Sequence, residues 1–149
     1  MTSVTPEGLG IDLQEAQGRG LYKWLLASFL VGKRIRSTVA LEAYRNLVDR
    51  HGLNCPRRLA RCAHRDLVRL LGQAGYARYD ESTARRLKTL GERLESELHQ
   101  YHTPGQPMDV DKLKVWLLSF DGIGPKTSEI FLREAGPLLQ QGSPQSPMC

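Results

Sequence analysis

Lys126 has the neighbours that best suit a reactive amine in this chain. It follows Gly122-Ile123-Gly124-Pro125 and precedes Thr127. Two glycines admit backbone angles closed to other residues, and Ile123 between them can plug into a core and anchor a tight turn. Pro125 fits the first position of a helix, where its missing amide hydrogen is not needed. The spacing predicts one helix ending near Phe120, a hairpin, and a second helix through Thr127, Ile130, Phe131 and Leu132 to Gly136. Backbone amides at such a hairpin, with the positive end of the following helix dipole, make a pocket for a phosphate oxygen. Contacts of this kind hold a nucleic-acid backbone without reading bases. The same dipole disfavours an ammonium at Lys126, leaving the amine freer to attack carbon in Schiff-base chemistry. The plainer role, a point charge paired with phosphate, stays open.

The chain around this element has the size of one domain, at 149 residues. Its 40% hydrophobic and 25% charged residues exclude wholesale disorder. A net charge of +5, with arginine more common than lysine, favours a polyanionic partner or simply keeps the protein soluble. No apolar run reaches the roughly 18 residues of a membrane span, so no membrane partner is expected. The opening residues lack the basic start and apolar block of a secretory signal. The expected location is therefore inside the cell, in the cytoplasm, nucleoid or nucleus. Cys55, Cys62 and Cys149 cannot all pair within one chain and suit a reducing compartment. With His64 nearby, Cys55 and Cys62 still fall short of a four-ligand set, so no metal site is expected and ordinary half-buried thiols are.

Helical periodicity dominates, and the expected fold class is all-α, a compact bundle of six or seven short helices containing one helix-hairpin-helix motif. Leu21, Trp24, Leu25, Ser28 and Phe29 mark a core helix, and a second is expected from about Arg34 to His51, closed by Gly52. Asn54 can cap and Pro56 open a short helix. Leu67, Val68, Leu70 and Leu71 line another that stops at Gly72 and Gly75. A long amphipathic helix begins at Asp80 with Leu87, Leu90, Leu94 and Leu98 as its buried seam. After the loop Thr103-Pro104-Gly105-Gln106-Pro107, Asp109 or Asp111 caps a helix carrying Leu113, Trp116, Leu117 and Phe120. Residues 1–19 are read as an N-terminal segment, 20–137 as the helical domain and 138–149 as a flexible tail.

The stretch LLSFDGIGPKTSEIFLREAG resembles the helix-hairpin-helix element of base-excision DNA glycosylases of the endonuclease III type, at Gly122, Ile123, Gly124, Lys126 and Thr127. Asp121 stands where that family commonly has proline, and Ser128 where it has alanine. KWLLASFLVGKRIRSTVALEAYRNLV is similar to the family's early helix pair around a DNA-facing loop, and LVRLLGQAGYARYDESTARRLKTLGERL to its glycine-aromatic turn and long helix. The resemblance implies a DNA-binding repair protein with base-excision glycosylase and abasic-site lyase activity. Lys126 would attack the sugar carbon of a flipped nucleotide. Gly122, Ile123, Gly124, Lys126 and Thr127, with Lys33, Arg34 and Arg36 beside Gly32, are the expected DNA-binding residues. No cofactor is expected beyond a monovalent cation at the hairpin, which the resemblance leaves open.

The chain departs from the family in three ways. The downstream catalytic aspartate and the iron-sulfur cysteines have no counterpart, and Asp121 and Glu129 are the nearest carboxylates to the lysine. Phe29 falls near a position that is often polar, where an aromatic would serve either as a wedge between bases or as core. The alternative reading is therefore a non-catalytic helix-hairpin-helix module for damaged or structured DNA, or a subunit whose missing groups come from a partner protein. The arginines at 57, 58, 61, 65, 69, 78, 85 and 86, with Lys88, would widen the electrostatic footprint or simply face solvent.

Overall fold

The computed structural model describes residues 4–15, 18–32, 35–76, 79–101 and 106–141, which hold seven α-helices and no strand. Helix α1 (Arg19–Val31) is the central rod. Every residue from Gly20 to Leu30 is buried except Lys23, whose ammonium pairs with Glu15 at 2.8 Å. A helix apolar all round must be covered on all sides, and α1 packs most heavily on α2 (Ser37–Tyr44) and α7 (Pro125–Gln141). Phe29 is wholly buried and belongs to the core. The wedge role weighed for it does not apply.

The second helix starts at Ser37 rather than near Arg34, and after Tyr44 it widens into a π-helical segment, Arg45–Arg50. Asn46 in that segment is buried and gives its amide to Leu70 O at 2.9 Å and Gln73 Oε1 at 3.0 Å. It thereby serves the end of α4 (His64–Ala74). Helix α4 runs through Gly72 and stops only at Gly75, whose φ of 104° is the left-handed turn that ends it. Between them α3 (Pro56–Arg61) has Pro56 at its first position, as expected, but is preceded by Cys55 rather than capped by Asn54. Cys55 is buried and disulfide-bonded, whereas Cys62 is a free thiol. The expectation of ordinary thiols fails for Cys55 because pairing depends on which chain segments meet in space.

Helix α5 (Asp80–Glu97) buries Leu87, Leu90 and Leu94 as the pattern demands, and Gly91 beside them. A Cβ built on Gly91 would lie 2.7 Å from Ala60 N and 2.9 Å from Pro56 O, so the absence of a side chain lets α3 lie directly against α5. Lys88 closes the same contact, donating to Ala60 O and Cys62 O at 2.9 Å each. Asp109 caps α6 (Val110–Leu118), accepting from Asp111 N at 3.0 Å and Lys112 N at 3.3 Å. Helix α7 does not end at Gly136. It continues through Pro137 to Gln141 because Leu139 is buried and its carbonyl accepts from Met108 N at 3.0 Å, a tertiary anchor that outweighs the proline. Residues 103–105 of the expected loop and the tail beyond 141 lie outside the described residues.

Gly91→Ala should lower unfolding stability by about 1–3 kcal/mol in urea titrations, since the methyl collides with backbone. The opposing gain from alanine's helix propensity is about 1 kcal/mol. Unchanged or raised stability would show that α3 does not sit this close to α5.

Candidate nucleic-acid interface

Helices α6 and α7 are joined by the short turn 119–124. Gly122 has φ 95°, the positive value that its position required, while Gly124 does not. Ile123 is 4% exposed and its N–H reaches Phe120 O at 3.1 Å, so the residue between the glycines anchors the turn in the core. The first backbone bond of α7 runs from Ser128 N–H to Gly124 O at 3.0 Å, which leaves the N–H groups of Lys126 and Thr127 outside the intrahelical ladder. Nothing lies within 4 Å of a Cβ built on Gly124, and Lys126 is exposed. The turn therefore has a buried inner side and an open outer side that carries the lysine.

Thr127 is nearly fully buried, and the reason is Gly32 at the end of α1. A Cβ on Gly32 would fall 2.0 Å from Thr127 Oγ1. The connection from α1 to α2 is thus pressed against the first turn of α7, a meeting of residues nearly a hundred positions apart in sequence. Arg36, exposed at the start of α2, belongs to that connection. Lys33 and Arg34 lie outside the described residues. Val39 in α2 reaches the turn after α4, where a Cβ on Gly75 would lie 3.5 Å from Val39 Cγ2. That turn leads to Tyr79, 49% exposed at the start of α5. Helix α5 reaches the 119–124 turn through Arg86, whose Nε is 3.2 Å from Asp121 Oδ2. Two contacts thus form a rim at the start of α7, Gly32 against Thr127 and Arg86 with Asp121, whereas Val39 and Gly75 join α2 to the end of α4.

A second arginine of α5 braces the turn. Arg93 donates to Ser119 O at 3.2 Å and Ser119 Oγ at 3.0 Å, grips both oxygens of Glu97, and lies 3.9 Å from the centre of the Phe120 ring. Glu97 also accepts from the Trp116 indole at 3.1 Å, and Trp116 stacks on Tyr101 with ring centroids 4.6 Å apart. These bonds, from Arg93 first and Trp116 second, hold the Glu97 carboxyl down at about 2. Ser128, by contrast, is wholly buried and its Oγ has no hydrogen-bond partner. A small residue is needed there, and nothing in its surroundings uses the hydroxyl.

Several expected cations turn out to be occupied elsewhere. Arg57 pairs with Glu95, Arg69 with Asp66, and Arg58 donates to Gly52 O. Arg85 and Lys126 remain exposed, as does Glu129, while Asp121 is engaged by Arg86. Among the described residues no group of three or more His, Cys, Asp or Glu side chains could hold a metal ion, and no helix is long and apolar enough to cross a membrane. Arg93 escaped sequence reasoning, although its spacing of seven residues from Arg86 puts both on one stripe of α5 and was available to find it.

Two outcomes follow. A carboxyl held below its usual range contributes stability that is complete above about 4.5, its ordinary value, and is lost as pH falls towards 2. Glu97→Gln should remove that part of the acid dependence in melting curves recorded between pH 5 and pH 2; a variant curve parallel to that of the original protein would contradict the assignment. Ser128→Ala should raise stability by about 1 kcal/mol by deleting an unsatisfied buried hydroxyl, and a loss in calorimetry would mean that the hydroxyl has a partner.

Searches against family models, curated proteins and solved structures find no match to this chain.

Proposed function

We propose that this chain is a DNA repair protein that docks on the sugar-phosphate backbone through the 119–127 segment and uses Lys126 as a Schiff-base nucleophile at a damaged or abasic nucleotide. The observation that carries this reading is the rim at the start of α7, where Gly32 packs against Thr127 and Arg86 pairs with Asp121 beside the exposed amine of Lys126. Amides at the start of a helix of 17 residues favour an anion by geometry and by dipole. Arg36, Arg85 and Lys126 add positive charge, and Tyr79 offers an exposed ring on which an unstacked base can lie. On an abasic site the amine condenses with the open-chain aldehyde and releases water. The resulting iminium acidifies the neighbouring sugar carbon, and loss of that proton breaks the bond to the 3′ phosphate, which leaves with the electron pair.

A second reading, a DNA-binding module without turnover, draws on the carboxylates near the lysine. Asp121 is engaged with Arg86 and Glu129 is exposed, so no described acid is held in readiness to assist the amine. In that case a partner protein supplies the missing acid, or the chain only marks damaged or structured DNA.

Borohydride added to a mixture of the protein and abasic-site duplex should trap a covalent adduct by reducing the imine. Lys126→Ala should abolish the adduct while keeping most of the affinity. Intact binding without trapping would remove the enzyme reading and leave the module.

A further inference from the structure

Resting on that docking, we propose that Arg86 is a ligand for a second backbone phosphate, set beside the 119–124 turn by Asp121. Arg86 and Arg93 lie seven residues apart, about 10 Å along α5, and both reach the turn, at Asp121 and Ser119. The two arginines are used differently. Arg93 spends all three nitrogens on Glu97 and Ser119, and is a brace. Arg86 meets Asp121 as an ion pair, Nε to Oδ2 at 3.2 Å, and its guanidinium makes no hydrogen bond among the described residues. A guanidinium held by Nε keeps a free end whose paired N–H groups match two oxygens of one phosphate.

Asp121 explains why this arginine is presented rather than left to wander. Its side chain is 75% exposed on the turn that would grip an anion, where an uncompensated carboxylate would repel the backbone. Pairing with Arg86 offsets that charge and fixes the guanidinium at the edge of the turn. An exposed pair of this kind contributes little to folding, so its value lies in orientation. The ligand is the phosphodiester backbone, recognised by charge and shape, at a step beside the phosphate held by the start of α7.

The test is fluorescence anisotropy of a labelled abasic-site duplex over a range of salt concentrations, with the melting temperature of each variant as a check on folding. Arg86→Ala should weaken binding roughly 3- to 10-fold and lower the slope of log K against log salt by about 0.9, the share of one phosphate. Arg86→Lys should restore the slope but only part of the affinity. Arg57→Ala, whose guanidinium pairs with Glu95 on another face, should change neither. The double variant Arg86→Ala with Asp121→Asn should stay weak. Its return to original affinity would mean that Arg86 only neutralises Asp121, and would overturn the proposal. An unchanged salt slope in Arg86→Ala overturns it as well. If the original protein fails to bind the duplex in a salt-dependent way, the docking itself falls and this site with it; salt-dependent binding by the original protein and equally by Arg86→Ala defeats the second phosphate alone.

Discussion

The close approach of α1 and α7 is the contact on which the remaining geometry depends. Gly32 carries no side chain where Thr127 Oγ1 would be only 2.0 Å from a methyl, so the end of α1 and the first turn of α7 touch. Further along the same pair of helices the Trp24 indole donates to Phe131 O at 3.2 Å. These two contacts fix the direction of α7 relative to a rod that is buried along nearly its whole length. They also decide where the amine of Lys126 emerges, because a residue at the second position of a helix can only point where the start of that helix points. A larger residue at Gly32 would separate the two connections before it disturbed the apolar seam.

Around this contact the molecule uses arginine for two purposes that composition cannot tell apart. Some guanidiniums are structural: Arg93 joins the last turn of α6 to α5 through Ser119, Phe120 and Glu97, and Lys88 performs a similar service for α3. Others are exposed and uncommitted, as Arg85 is. The net charge of +5 therefore overstates what a polyanion would meet on most faces, since Arg50, Arg57 and Arg69 already face carboxylates. It does not overstate what the rim near Lys126 offers. There the one carboxylate of the turn is itself matched by a guanidinium that keeps its outer end unspent.

The rim also departs from local stability in ways that suit binding. Gly124 leaves open space where a side chain could have sat. The buried side of the same turn is conservative by comparison, with Ile123 and Phe120 in the core and Arg93 over the Phe120 ring. The turn is thus anchored beneath and open above, beside the exposed Lys126.

The all-helical class, the buried character of α1, the leucine seam of α5 and the tight turn before Lys126 were determined by the sequence alone, because each depends on periodicity or on backbone angles set within a few residues. Gly122 is the clearest case: its positive φ is a local demand met by a local residue. What the tertiary structure decided were matters of meeting at a distance. Helix α7 passes Pro137 because Leu139 finds the core and Met108 finds its carbonyl; Cys55 has a sulfur partner; Phe29 goes inward. The start of α2 moved from its expected place near Arg34 to Ser37, while α4 stopped at Gly75 as expected, with Asn46 donating to Leu70 O near its end. The rim itself, with Gly32, Arg86 and Lys126 drawn from three separate stretches, could not be read along the chain, since charge and exposure acquire a location only when the helices that carry them have packed.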